Sequence, residues 1–336
     1  MTTAVAGTEA VRGPTISVVV PVYCNEESLP LLFDALLGVE ASLRERGLAL
    51  ELIFVDDGSL DGSLAVLREL KRRRPATKVV KLARNFGSVH ASKTGFAYVT
   101  GDAFMILAAD LQDPPELVGE MVRRWQEGYD VVYAVRAARK GETLFKRGTA
   151  AMFYRLIRRI TRVDIPLDTG DFRLVSRRVI EDLRRMPERH RFVRGLVAWV
   201  GYPQIGVPYE RDERLSGETK YPLWRMARFA LDGITSFSFA PLQIATAIGF
   251  LAALSAFVGI GIVLYYRLFT GIPLPGWASV IISVLFLGGV QLITIGIIGE
   301  YLGRVYDEVK GRPLYLVQER IGFSDGAPAR EDSCTS

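Results

Sequence analysis

Two short stretches carry side chains whose types and spacing suit chemistry. The first is FMILAADLQDPPE, from Phe104 to Glu116, where oxygen-bearing side chains follow an apolar run. With a strand continuing to Ala109, Asp110 and Gln112 share a face at its end and Asp113 points away. Asp113 precedes Pro114, Pro115 and Glu116, a capping-box pattern with proline at the first helical position, and is expected to be a structural helix cap. That leaves Asp110 and Gln112 as hard oxygen ligands suited to Mg2+ or Mn2+ bridging phosphate oxygens. The second stretch is LIFVDDGS, from Leu52 to Ser59. Adjacent carboxylates alternate faces, so Asp56 and Asp57 cannot serve one ligand in the same way. An acceptor here can take the imide N–H of a uracil or the N–H groups of guanine. Gly58 allows a sharp exit turn, and Asp61 is placed to cap the next helix. Taken alone, one Asp and one Gln are a weak metal signal, and the second stretch also fits a solvated acidic turn. His90 and His190 form no metal or triad pattern, and the chain has neither a P-loop nor a nucleophile elbow.

The elements that must hold these residues alternate in type. Strands are predicted at Ile16–Val20, Leu50–Val55, Lys78–Leu82, Phe104–Ala108 and Val131–Val135. Helices are predicted at Glu27–Arg46, Ser63–Arg73, Val89–Val99 and Glu116–Gln126. Such alternation implies βαβ units and a parallel sheet, whose ligands sit beyond the carboxyl ends of the strands. The informative residues follow the strands directly, at Pro21–Glu26, Asp56–Ser59, Arg84–Gly87 and Asp110–Asp113.

The composition describes two solvents. The 336 residues carry 42 Lys+Arg against 37 Asp+Glu, a net charge of +5, and a mean hydropathy of +0.19. Yet from Gly233 to Gly299 the only Asp, Glu, Lys or Arg is Arg267. A wholly soluble protein is excluded, and so is disorder, since the charged part is rich in Val, Ile, Leu and aromatics. The apolar region divides into spans at about 240–266 and 277–298, separated by Pro273, Pro275 and Gly276. Each is long enough to cross a hydrocarbon core of about 30 Å. Lys220, Arg225 and Arg228 precede the first span, and Arg304, Lys310 and Arg312 follow the second, so the positive-inside rule places both flanks in the cytoplasm. Residues 221–239 read as an amphipathic helix at the interface, with Leu223, Trp224, Met226, Phe229, Leu231 and Ile234 on its apolar side. From Arg136 to Arg162 there are nine Lys/Arg and one acid, Glu142. With no nucleic-acid module around it, this run reads as attraction to anionic headgroups, with a plain solvated helical face as the alternative for any single arginine. Cys24 and Cys334 offer no disulfide framework, and residues 1–14 show no signal peptide.

Six motifs in order resemble the family 2 glycosyltransferases of the GT-A fold, specifically the polyprenyl-phosphate glycosyltransferases. They are VVVPVYCNEE at Val18–Glu27, VDDGSLDGS at Val55–Ser63, ARNFG at Ala83–Gly87, ADLQDPPE at Ala109–Glu116, DTGDFRL at Asp168–Leu174 and SGETKYP at Ser216–Pro222. The resemblance spans about Thr15 to Arg312. It implies an α/β GT-A catalytic domain, with a Rossmann-like, mostly parallel sheet, joined to juxtamembrane amphipathic helices and two transmembrane helices. The expected layout is a disordered N-terminus (1–14), the GT-A domain (15–220), the juxtamembrane helix (221–239), the two spans (240–299) and a cytoplasmic tail (300–336), disordered after about Phe323.

By the same resemblance, Pro21, Tyr23, Asn25, Glu26, Asp56 and Arg84 bind the nucleotide sugar, with Asp57 supporting the pocket. Asp110 and Gln112 hold a divalent cation, Mg2+ or Mn2+, on the donor diphosphate. Arg211, Arg214, Ser216, Lys220 and Tyr221 contact donor or acceptor phosphates. Asp168 and Asp171 stand where related inverting enzymes place a catalytic base, and Arg173 binds phosphate. The implied partners are a UDP- or GDP-sugar, a polyprenyl phosphate and a bilayer with anionic headgroups, in the inner membrane, with no nucleic acid; a homo-oligomer stays open. Two departures stand out: Ala108 occupies the first carboxylate position of the usual D-x-D-L-Q, and Cys24 is inserted between Tyr23 and Asn25. The first predicts a weakly held cation that depends on bound nucleotide. Competing readings are a processive polysaccharide synthase, whose acceptor motif and extra membrane helices are not visible, and a nucleotide-sugar-binding module without catalysis.

Overall fold

In the computed structural model of the chain, residues 13–136, 169–186, 193–209, 239–265, 268–269 and 276–323 are described. The β-branched run TISVVVPV forms strand β1 (Thr15–Val22), whose Ile16 to Val20 are all fully buried. Burial on both faces is what a central strand of a parallel sheet requires. β1 pairs in parallel with β2 (Ala49–Asp56) and β4 (Ala103–Ile106), and β2 pairs in parallel with β3 (Lys78–Leu82). Three more strands extend the β4 side: β5 (Val131–Arg136), β6 (Thr169–Ser176) and β7 (Gln204–Tyr209). β6 runs antiparallel to both β4 and β5. With β8 (Val317–Ile321) the order is β7-β5-β6-β4-β1-β2-β3-β8. The mostly parallel α/β sheet expected from the alternation is present.

Helices cover both faces. α1 (Leu29–Glu45), α2 (Ser63–Arg73) and α4 (Leu117–Gln126) bury Leu32, Phe33, Leu36, Leu67, Leu70 and Met121 against one side, with Val18, Val20, Leu52 and Phe54 of the sheet. α3 (Ser88–Tyr98), α5 (Arg177–Arg185) and α6 (Val193–Trp199) bury Ala91, Tyr98, Val179, Ile180, Leu183 and Leu196 against Val19, Ile53 and Val55 on the other. Because successive strand residues face opposite sides, this division sets the direction of every residue at the strand ends.

One expectation is corrected here. β4 stops at Ile106, and α4 begins only at Leu117, with Glu116 as an N-cap that makes no side-chain capping bond. Pro114 and Pro115 lack N–H groups and disfavour helical conformation in the residues before them. Their carbonyls accept from Leu117 and Val118. Asp113 does not cap α4; it accepts from the Tyr209 hydroxyl of β7 at 3.4 Å.

Among the described residues, two helices are long and apolar enough to cross a membrane, α7 (Ala240–Tyr265) and α8 (Trp277–Lys310). Their large apolar side chains face outward, Phe257 at 79% exposure and Leu292 at 72%. Near one end of the pair, Phe239 stacks on Tyr301 at 6.1 Å. α8 ends at Gly311, whose φ of 59° closes the helix in the left-handed conformation. The chain then rejoins the sheet. β8 pairs antiparallel with β3, the Ala83 N–H donates to the Leu316 carbonyl, and Arg68 of α2 forks onto Glu319 at 2.8 and 3.0 Å. Phe323 packs on Tyr98 with ring centroids 5.0 Å apart. The segment after the apolar helices is thus part of the α/β sheet.

Candidate active site

The carboxyl ends of β1, β2, β3 and β4 open into one cleft of about 280 Å³. Pro21, Val22, Tyr23 and Asn25 line it from β1, Asp57 from β2, Asn85, Gly87, Ser88 and Ala91 from the β3–α3 turn, and Ala108, Ala109 and Asp110 from β4. Of the residues singled out in the sequence, it gathers Pro21, Tyr23, Asn25, Asp57 and Asp110.

Strand parity decides which aspartate of the pair faces the cleft. Asp56 continues the side of Phe54, toward α1 and α2, whereas Asp57 continues the side of Val55, toward α3. Asp57, not Asp56, is therefore the one of the pair that lines the cleft. Asp56 is fully buried and does not line the cleft; its Oδ1 accepts from the Ser59 N–H at 3.1 Å, and its Oδ2 has no hydrogen-bond partner among the described residues. Asp57 lines the cleft and also holds its opposite wall, accepting from the N–H groups of Phe86 at 2.7 Å and Gly87 at 2.8 Å. Gly58 makes this closeness possible. Its φ is +68°, and a Cβ there would come within 2.6 Å of the Arg84 carbonyl carbon. Both facts demand glycine.

Three further candidates stand outside the lining. The Glu26 carboxylate turns to the β2–α2 loop and accepts from the Gly62 N–H. The Arg84 guanidinium lies over the Phe86 ring at 4.2 Å and donates to the Asn85 carbonyl. Gln112 is buried, and its backbone N–H donates to Asp110 Oδ1 at 3.2 Å. Between them Leu111 takes a φ of 57°, a conformation that costs a branched side chain about 1–2 kcal/mol and bends the chain sharply after Asp110. Arg173 is buried on β6. Asp171 belongs to β6 by its backbone. Its side chain, Asp168, Arg211, Arg214, Ser216, Lys220 and Tyr221 lie outside the described residues, as do residues 137–162 of the basic run and 221–238 of the amphipathic stretch.

His90, one turn into α3, is half-buried, and burial together with nearby Lys93 holds its imidazole below the ordinary pKa of 6.5. It is neutral at pH 7. Among the described residues no group of three or more His, Cys, Asp or Glu gathers as a metal site. The donors suit a hard cation only in company with a ligand: Asp110 brings a carboxylate to the cleft, while Ala108 brings a methyl group. Ser88 and Ala91 escape the sequence reading. Their only signal is position, at the start of a helix directly after a strand.

The arrangement has polar acceptors and backbone turns at the carboxyl edge of a parallel sheet, where nucleotides bind in such folds. Residues 17–184 match the family model Glycosyl transferase family 2. The chain belongs to the family 2 glycosyltransferases and is a sugar transferase with a GT-A fold. It is 50% identical over 309 residues to an uncharacterized glycosyltransferase of Bacillus subtilis, covering 92% of this chain and 95% of that one. It is also 40% identical over 306 residues to the bactoprenol glucosyl transferase of Shigella phage SfX, covering 91% and 99% of the two chains. Among solved structures, a mannosyltransferase from Pyrobaculum calidifontis in complex with GDP-Man and Mn2+ superposes with a TM-score of 0.48 at 18% identity, over 85% of this chain and 88% of that one.

Proposed function

We propose that this protein transfers a single sugar from a UDP- or GDP-sugar to a polyprenyl phosphate at the cytoplasmic face of the membrane, with inversion at the anomeric carbon. One observation carries the reading. The cleft collects Tyr23, Asn25, Asp57 and Asp110 in a chain that aligns almost end to end with a bactoprenol glucosyl transferase. Tyr23 and Asn25 face the base and ribose, Asp57 accepts from the base, and Arg84 stands at the rim. Asp110, with Gln112 behind it, would hold Mg2+ or Mn2+, and the ion would supply positive charge to neutralise the departing diphosphate. An acceptor phosphate has a second pKa of about 6 and is largely dianionic at neutral pH, so it needs little deprotonation. Its oxygen forms the new bond to the anomeric carbon as the bond to the nucleoside diphosphate breaks. Asp171, with Asp168 as the second candidate, orients hydroxyl groups more than it removes a proton. Arg173, Arg211, Arg214, Ser216, Lys220 and Tyr221 hold phosphates, a task for which charged and hydroxyl donors are suited.

The membrane part serves the same reaction. A water-soluble donor must meet a water-insoluble acceptor, and α7 and α8 would hold the cleft at that boundary. The return of the chain after α8 to pair with β3 supports both flanks lying on one side. Replacing α7 and the apolar part of α8 with a soluble linker that leaves β8 paired to β3 should reduce transfer to long-chain acceptors more than to short ones.

The test incubates membranes containing the protein with labelled UDP-glucose, UDP-galactose, UDP-GlcNAc or GDP-mannose, undecaprenyl phosphate and Mg2+ or Mn2+. Label in the lipid extract is expected. Label in insoluble polymer, or nucleotide binding without transfer, would refute the proposal.

A further inference from the structure

The loop after β1 is stitched to the loop after β2 by consecutive hydrogen bonds. The N–H of Cys24 donates to Ser59 Oγ at 3.1 Å, that of Asn25 to Ser63 Oγ at 2.9 Å, and that of Glu26 to Asp61 Oδ2 at 3.3 Å. The Glu26 carboxylate answers by accepting from the Gly62 N–H. Behind the stitch, buried Asp56 accepts from the Ser59 N–H, and Asp61 Oδ1 accepts from the Ser63 N–H. Four polar side chains, Glu26, Ser59, Asp61 and Ser63, thus hold the two loops together.

What this holds is unusual backbone. Cys24 has a φ of 55°, a left-handed conformation that a non-glycine residue adopts at a cost of about 1–2 kcal/mol. It is the turn at Cys24 that brings the residues on either side, Tyr23 and Asn25, onto the cleft wall, where the Asn25 side chain accepts from the Tyr23 N–H at 3.0 Å. Without the three acceptors from the neighbouring loop, Cys24 would relax toward ordinary backbone. Tyr23 and Asn25 would then lose their common direction.

We infer that Ser59, Asp61 and Ser63 are positioning residues for the donor nucleotide, acting through the backbone of Cys24 to Glu26 to fix Tyr23 and Asn25. None of the three lines the cleft. The inference rests on the reading of the cleft as the donor site. It separates two properties that a purely structural role would move together: donor affinity should fall while the chemical step is kept.

The experiment uses the full-length protein in detergent or membranes, with S59A, D61A and S63A compared to the unaltered chain. Donor KM and kcat are measured with Mn2+ present, together with UDP and GDP binding by calorimetry and the Tm of each variant. Loss of a hydrogen bond to a half-buried backbone N–H should raise donor KM about five- to tenfold in S63A, with kcat within about twofold. Smaller rises are expected in S59A and D61A, at more exposed positions, and S59T should restore the unaltered KM. These two variants keep the test open if S63A does not fold. A fall in kcat at unchanged KM, or no change in either, overturns the inference. If the unaltered protein binds neither UDP nor GDP, the donor-site reading falls and the inference falls with it; if it binds and the variants bind equally, the inference alone falls.

Discussion

Glu51 and Asp56 lie on the same strand, β2, at opposite edges of the sheet, and both are buried carboxylates. At the amino edge, Glu51 is surrounded by donors: Lys78 Nζ at 2.6 Å, the Thr100 hydroxyl at 2.7 Å, the Thr100 N–H at 2.9 Å and the Ser17 hydroxyl. Asp130 stands at the same edge with the Ser176 hydroxyl at 2.7 Å and Arg178. At the carboxyl edge, Asp56 has one oxygen bonded and the other without a partner among the described residues, and Asp57 accepts one backbone N–H on each oxygen, from groups that shape the cleft, with acceptor capacity left over. A satisfied polar network in low dielectric rigidifies a fold. Acceptors that face a cleft or shape its walls serve binding. On the function proposed above, one edge of this sheet serves stability and the other a ligand.

That contrast can be broken by substitution, and the largest effect is expected at the carboxyl edge. D110N should lower transfer between about 100- and 1,000-fold, the range for losing a group that acts on developing charge, with Tm unchanged. A loss of Tm in parallel would place Asp110 among the structural carboxylates. At the amino edge the opposite pattern is expected. E51Q strands Lys78 and should cost about 3 kcal/mol of stability while kcat at low temperature stays near that of the unaltered protein.

The same group predicts a pH dependence. Burial opposes ionisation of Glu51, but hydrogen bonds from Lys78, Ser17 and Thr100 outweigh it and hold the carboxyl below its ordinary 4.5. A depressed folded-state pKa stabilises above the unfolded value, and that stabilisation is lost as pH falls through the folded one. The Tm gap between the unaltered protein and E51Q should therefore be constant above about pH 5 and narrow on acidification below 4.5. A gap that widened there would contradict the ionised network.

G58A sits between the two classes. A methyl group at φ +68° and against the Arg84 backbone should cost about 2 kcal/mol and raise donor KM, since the β3–α3 turn must move. Smallest is A108D, which returns a carboxylate to the cleft beside Asp110. It should tighten Mn2+ binding in the presence of nucleotide by about tenfold, because cation affinity follows the number of charged ligands. Unchanged Mn2+ dependence would mean that the side chain at 108 does not reach the ion.

How far these edges could be read from the sequence depended on what decides each residue. The strand–helix alternation and the uncharged spans are local patterns, and β1 to β5, α7 and α8 follow them. The direction of the aspartates is not local. It turns on where a strand stops, and β4 stops at Ile106 with Leu111 in the left-handed region, which no spacing rule for Asp110, Gln112 and Asp113 anticipates. β8 has only Val317 and Ile321 as apolar signals, and its place is made by distant partners, Arg68 for Glu319 and Tyr98 for Phe323. The stitch between the first two loops is equally hidden, because serine and aspartate in DGSLDGS read as ordinary turn residues.

The most direct test of the edge assignment is hydrogen–deuterium exchange of the full-length protein with and without UDP or GDP and Mn2+. Slowed exchange is predicted at the amides of Tyr23, Asn25, Asn85, Ser88 and Asp110, with none at Thr100, Gly101 and Asp130. Protection at the amino edge, or at neither edge, would contradict a donor site at the carboxyl ends of the strands.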